Sequence, residues 1–133
     1  MTLFGAGRPV PPAVRLLGFR LVSADPELGE ATAEFEGRPE FLNLMGNVQG
    51  GFVTAMLDAV ASSALLAQLP ATDVAPTLEI KTSFLRPAPA GRLVGHGRVA
   101  HRGGSIAFLA SSLCDPDGAL LATASATVKI VSR

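Results

Sequence analysis

Between Gln49 and Gln68 the chain is helix-compatible and apolar on nearly every side, and Asp58 is the only charge in it. A helix of that kind is enclosed by other structure rather than laid on a surface. Two glycines, Gly50 and Gly51, stand in its first turn. Each costs roughly 1 kcal/mol against alanine in a helix interior, less at the end, and lets another backbone or a ligand come close. Pro70 follows where a helix stop belongs. Asp58 is the anomaly, because a carboxylate is costly to bury without a partner. Either the helix leaves a polar window there or the acid has a task.

The enclosure has to come from β-structure. Phe19–Ser23 and Glu30–Glu36 alternate on either side of the turn Asp25-Pro26-Glu27-Leu28-Gly29, the pattern of a β-hairpin. Beyond the helix, strand patterns run over 77–84, 92–100, 105–114 and 119–131. They are separated by Arg86-Pro-Ala-Pro-Ala-Gly91, His101-Arg-Gly-Gly104 and Asp115-Pro-Asp-Gly118. We expect these four strands to form an antiparallel meander. With the hairpin they give an α+β fold, a curved antiparallel sheet of about six strands wrapped around one long helix, in a single domain over 1–133. A short helix begins at Pro11-Pro12. Residues 1–11, rich in glycine and proline, are expected as a loose arm.

Composition narrows the function. Hydrophobic residues make up 48% and charged residues 17% of the 133, which is apolar for a small domain and points to further burial in a homo-oligomer. Lys+Arg 11 balances Asp+Glu 11, so no global field draws in nucleic acid or an anionic membrane. The one cysteine, Cys114, permits no intrachain disulfide and fits a reducing compartment. The first residues lack the layout of a signal peptide, and the central helix is too interrupted to span a membrane. A cytoplasmic protein is expected. No G-x-S-x-G occurs. His96 and His101 have no carboxylate or cysteine at ligand spacing, so no metal is expected. Gly95-His-Gly97-Arg-Val-Ala100 matches G-x-G-x-x-A, but it sits in a strand with no helix after it, so a dinucleotide loop is not expected.

The central stretch holds the remaining chemistry. The N–H groups at Gly50 and Gly51 have no intrahelical partner and carry the positive end of the helix dipole, as an oxyanion hole requires. Asp58 is a candidate base or nucleophile, and the Asn43 amide can hold a carbonyl or a water. Gly50 and Asp58 are about 12 Å apart along one helix, at about 1.5 Å per residue. Asp58 therefore cannot serve a carbonyl held at its own helix N-terminus. If both residues function, two subunits must pair with antiparallel helices and share active sites. The alternative is that the glycines serve packing and Asp58 faces solvent.

The spacing Asn43-x-x-Gly46-x-x-Gln49-Gly50-Gly51-x-x-x-x-x-x-Asp58, entering a long helix, resembles that of hotdog-fold acyl-CoA thioesterases. Within them it is most similar to the phenylacetic acid degradation (PaaI-like) group, related to 4-hydroxybenzoyl-CoA thioesterases. Phe84-Leu-Arg86-Pro87-Ala-x-x-Gly91, His101-Arg102-Gly103 and Asp117-Gly118-x-Leu120-x-Ala122 extend the resemblance over about residues 15–131. The resemblance implies hydrolysis of an acyl-CoA thioester with no cofactor beyond the coenzyme A of the substrate. It implies a dimer with shared sites, commonly paired into a tetramer. Gly50 would give the oxyanion N–H, Asn43 would sit beside the thioester, and Asp58 of the other subunit would be base or nucleophile. Thr77 would help place the water. Gln49 stands where many members carry histidine, and glutamine cannot titrate near neutrality. Arg102 beside Gly103, and then Arg86, are the candidate phosphate contacts. Gly51 and Phe52 would lie along the substrate. A non-catalytic acyl-CoA or lipid binder and a hotdog hydratase or dehydratase are the other readings.

Overall fold

The structure is a computed structural model that describes residues 4, 5 and 7–133. In chain order the elements are α1 (Pro12–Leu16), β1 (Arg20–Asp25), β2 (Glu30–Gly37), a 3₁₀ turn (Pro39–Phe41), α2 (Gly50–Leu66), β3 (Thr77–Phe84), β4 (Gly91–Arg102), β5 (Ile106–Cys114) and β6 (Leu120–Lys129). All strands lie in one antiparallel sheet of order β1-β2-β4-β5-β6-β3. The helix α2 touches every strand, so the sheet wraps it. This is the hotdog architecture that the resemblance implies. Among the described residues no helix is long and apolar enough to cross a membrane.

The alternation read along β2 is realised, with Ala31, Ala33 and Phe35 buried. The four later strands do not form the expected meander. Only β4, β5 and β6 do; β3 pairs with β6 at the far edge, and β4 pairs with β2. The cause lies in Leu85–Ala90, where Pro87 and Pro89 rule out a tight hairpin ladder. From Phe84 to Gly91 an extended chain reaches about 23 Å, whereas three strand spacings are about 14 Å, so a crossover fits easily.

Part of the expected loose arm is docked. Residues 1–3 and 6 lie outside the described residues, but Phe4 and Val10 are buried, and Phe4 meets Phe19 edge to face at 5.4 Å. The Arg8 guanidinium donates to the carbonyls of Leu66 (2.8 Å), Asp73 (3.1 Å) and Pro70. Leu66 is in the last turn of α2, whose carbonyls have no partner within the helix and favour a cation. The glycine and proline content that suggested disorder concealed two apolar anchors and one cap.

Helix and sheet meet through the glycines of β4. Val60 presses against Gly95 and Gly97. A Cβ on Gly95 would lie 2.8 Å from Phe35 Cε2 and 3.1 Å from Val60 Cγ1, and one on Gly97 would overlap the Val60 carbonyl. The G-x-G pattern is therefore a packing device. Gly97→Ala is expected to destabilise the fold by about 3 kcal/mol, because the displaced atom is helix backbone that cannot rotate away. Gly51→Ala, where a Cβ meets nothing within 4 Å, should be neutral or gain up to about 0.5 kcal/mol. Denaturant unfolding of the two variants side by side checks the pair.

Candidate active site

Along α2 most residues are buried, but Gly51 is exposed and Ala55, Asp58 and Ser62 are half-buried. Their spacing of four, three and four puts them in one line down the helix. The chain thus encloses its central helix on all sides but one, and Asp58 sits midway along the open line. Thr77, the first residue of β3, donates its hydroxyl to Asp58 Oδ1 at 2.8 Å. A second bond, between the Thr54 and Thr82 hydroxyls at 2.9 Å, ties the same helix face to the same strand.

Asp58 and Thr77 open onto a cavity of about 580 Å³ whose walls are otherwise mostly apolar. The docked arm, the start of α1 and residues Asp73–Pro76 complete it. Burial lowers the Arg8 guanidinium below its ordinary value, and nearby Asp73 opposes that shift.

Asn43 and Gly50 lie elsewhere, in a second cavity of about 330 Å³ that Phe84 and Arg86 also line. The loop before α2 is rigid by its own bonding. Asn43 Oδ1 accepts the N–H groups of Met45 (3.0 Å) and Asn47 (3.1 Å), and the Asn47 carbonyl accepts the Asn43 N–H at 2.7 Å. Gly46 completes this turn at φ 81°, a left-handed conformation that glycine adopts without strain. Gln49 is the N-cap of α2, exposed, and makes no side-chain capping bond. The Gly50 and Gly51 N–H groups find no acceptor in the loop before them. The Phe84 ring lies on Gly50, where a Cβ would come within 3.1 Å of it.

The ten sequence-derived candidates therefore fall into three groups. Asp58 and Thr77 share the larger cavity. Asn43, Gly50 and Arg86 share the smaller one, with Gln49 and Gly51 beside Gly50 in the chain. Arg102 and Gly103 line neither: they are exposed at the β4–β5 turn, where the Gly103 N–H donates to Ile106 at 2.8 Å. Through the register Arg102↔Ala107, Ala107↔Val128 and Val128↔Thr77, Arg102 does share the Thr77 end of the sheet. Phe52 lines neither cavity and stacks on Phe41, with ring centroids 4.1 Å apart. Sequence reasoning missed Arg8 as a cavity residue, since a lone arginine among glycines and prolines carries no signal. It quoted Phe84 only as the first residue of a motif and gave it no link to Gly50.

Among the described residues no group of three or more His, Cys, Asp or Glu is placed to hold a metal ion. His96 Nδ1 is 3.2 Å from Thr32 Oγ1, and His101 stacks near Phe108. Both stand on β4, away from the start of α2. Burial, followed by Asp115, raises the Cys114 thiol above its ordinary value, which leaves it a poor nucleophile.

Comparison with known proteins bears on this geometry. A model described as "Thioesterase superfamily" matches residues 45–122. The "Putative esterase SSO2140" of Saccharolobus solfataricus is 31% identical over 98 residues, 74% of this chain and 69% of that protein. The crystal structure of a "putative thioesterase, phenylacetic acid degradation-related protein" from Ralstonia eutropha JMP134 superposes with TM-score 0.87 at 38% identity, covering 92% of each chain. The E. coli PaaI protein, at 20% identity and TM-score 0.82 over 92% of this chain and 86% of that one, shares the fold.

Replacing Asn43 with alanine removes the acceptor for two N–H groups at once. We expect Asn43→Ala to cost about 1 kcal/mol and to speed amide exchange at Met45 and Asn47, with the amides of β5 unchanged. Exchange measured by NMR checks this.

Proposed function

Since the chain belongs to the thioesterase superfamily and has the hotdog fold of its PaaI-like members, we propose that it hydrolyses an acyl-CoA thioester to a free acid and coenzyme A. The observation that carries this reading is the division of the candidates: Asp58 and Thr77 in one cavity, Asn43 and Gly50 in another. Neither cavity alone holds both a base and an oxyanion hole. The open line through Gly51, Ala55, Asp58 and Ser62 leaves room for a second α2, antiparallel to the first across a two-fold axis. Such a pairing brings Gly50 and Asn43 of one subunit to Asp58 of the other. β3 is an edge strand with Leu78 and Phe84 exposed at 58% and 57%, so its free edge suits the same contact.

In the composite site the thioester carbonyl sits at the start of α2. The Gly50 N–H and the helix dipole take the charge that develops on its oxygen. A water held near Thr77 attacks the carbonyl carbon while the Asp58 carboxylate takes its proton. The tetrahedral intermediate collapses, the C–S bond breaks, and the thiolate leaves as coenzyme A after protonation. Direct attack by Asp58, through a mixed anhydride that water then opens, uses the same atoms. Thr77 holds one carboxylate oxygen in either case, leaving the other free to act. In this reading Gln49, exposed at the cap, hydrogen-bonds the substrate but supplies no proton. In the same reading Arg86, in the Gly50 cavity, and Arg102, at the Thr77 end of the sheet, meet phosphates of the coenzyme. A cytoplasmic setting suits the single free thiol, and two dimers pairing into a tetramer suit the apolar composition.

Gln49 also favours the binder reading, in which an acyl-CoA is held without turnover. Thiol release from a panel of acyl-CoAs separates the two. Asp58→Ala is expected to slow release by about 10²–10⁴-fold; release at the wild-type rate would refute the mechanism. Mixing Asp58→Ala and Asn43→Ala subunits should restore up to about a quarter of wild-type activity, because half the dimers then carry one intact composite site. No restoration on subunit exchange would place both residues in one chain's site.

A further inference from the structure

Thr77 meets Asp58 from a position that simple alternation denies it. Ile80, Thr82 and Phe84 turn toward α2: Ile80 packs on the core, Thr82 bonds Thr54 at 2.9 Å, and Phe84 lies on Gly50. Alternate residues of a strand share a face, so this series continues to Leu78 and leaves Thr77 on the outer face with Glu79 and Lys81. Yet Thr77 donates to Asp58 Oδ1, and Leu78 is exposed. The register explains the change of face. Thr77 pairs with Val128, which is fully buried, and Glu79 pairs with Thr127. Two neighbours on β6 thus oppose two residues of β3 that are not neighbours. Leu78 is the surplus residue of a β-bulge, and bulges re-aim the side chains beside them.

The surplus is held by anchors on both sides. Upstream, Val74 and Val131 exchange both backbone hydrogen bonds, at 3.0 and 2.8 Å, and the Lys129 N–H donates to the Pro76 carbonyl at 3.0 Å. Downstream, the ladder from Glu79 to Phe84 and the Thr54–Thr82 bond hold the strand one residue out of step with that register. Resting on the thioesterase reading, we propose that this bulge is a positioning device: one residue too many, kept between two fixed registers, turns the Thr77 hydroxyl onto Asp58. In an unbulged strand of the same sequence Leu78 would stand opposite Val128 and bring an apolar side chain to the carboxylate, while Thr77 would face outward. Burial of Leu78 favours that arrangement, and the Val74–Val131 bridge opposes it. Val74 and Leu78 therefore act on the reaction only through Thr77.

The test releases the upstream anchor and then removes the surplus. Val74→Pro deletes the N–H that the Val131 carbonyl accepts. The regular register should then win, so that the NOE between the Thr77 and Val128 methyl groups gives way to one between Leu78 and Val128. Thiol release from an acyl-CoA should slow by about tenfold in kcat, with KM changed by less than about twofold. Thr77→Val should slow the wild type by a similar factor and add nothing to Val74→Pro. Deleting Leu78 from the proline variant removes the surplus, so Thr77 should return opposite Val128 and the rate should recover to that of the Leu78 deletion alone. Rates are compared at one oligomeric state, followed by light scattering. If Val74→Pro leaves the Thr77–Val128 NOE in place, or if the Leu78 deletion alone turns Thr77 outward, the proposal is wrong; with the proline variant unfolded, the deletion alone decides. A switch of NOEs at unchanged kcat would also overturn it. If the NOEs switch as expected but wild type releases no thiol, the bulge still sets the Thr77–Asp58 contact and only the hydrolase reading falls.

Discussion

The fold turns on the contact between Val60 and the two glycines of β4. At Gly97 the helix backbone comes so near the strand that a methyl group would overlap a carbonyl oxygen. Such contact fixes the height of the helix above the sheet and its rotation about its own axis, because close-packed interiors do not deform smoothly. Successive residues of an α-helix are about 100° apart, so Asp58 points about 200° away from Val60. Pressing Val60 into the sheet therefore turns Asp58 outward, onto the one line of the helix that the chain leaves open. The acid is not buried without a partner: the packing places it at a boundary, and Thr77 meets it there at 2.8 Å.

How much of this is legible in the sequence depends on the range over which each residue acts. The long helix and the hairpin turns announce themselves locally, through apolar content, through Pro70 after the helix, and through Asp115-Pro-Asp-Gly118. Asp58 stands out because one charge in an apolar segment is a local anomaly. The position of β3 is not local. Its alternation is the same whether it pairs with β4 or with β6, and only the prolines at 87 and 89 speak against a tight return. The docking of the arm is hidden for the same reason: Arg8 acts on carbonyls some sixty residues away, and backbone acceptors leave no mark in a sequence. The glycines of β4 show the opposite error. They match a nucleotide-binding pattern on paper, and their use is to have no side chain.

The candidate site was legible as a set of residues and as a constraint, less so as an arrangement. Helix rise alone separates Gly50 from Asp58, and the structure distributes the candidates on the two sides of that separation. Phe52 and Phe84 do not contact their surroundings in the order that the chain suggests. Phe52 follows the glycines directly but turns inward to stack on Phe41, whereas Phe84, thirty-four residues on from Gly50, covers it. Proximity in the chain is a weak guide here because a helix turns each residue about 100° from the last.

The placement of β6 between β5 and β3 has a consequence for how the molecule assembles. The hairpins β1–β2, β4–β5 and β5–β6 close over short loops, and such contacts form early. β3 has no neighbour until β6 exists, and Leu120 is thirty-six residues beyond Phe84. Closing that larger loop is the slower, non-local step. It is the same step that delivers Thr77 to Asp58 and Phe84 to Gly50. Both halves of the candidate site are then finished by the docking of a single edge strand, so a chain trapped before that event keeps most of its core and has no organised chemistry.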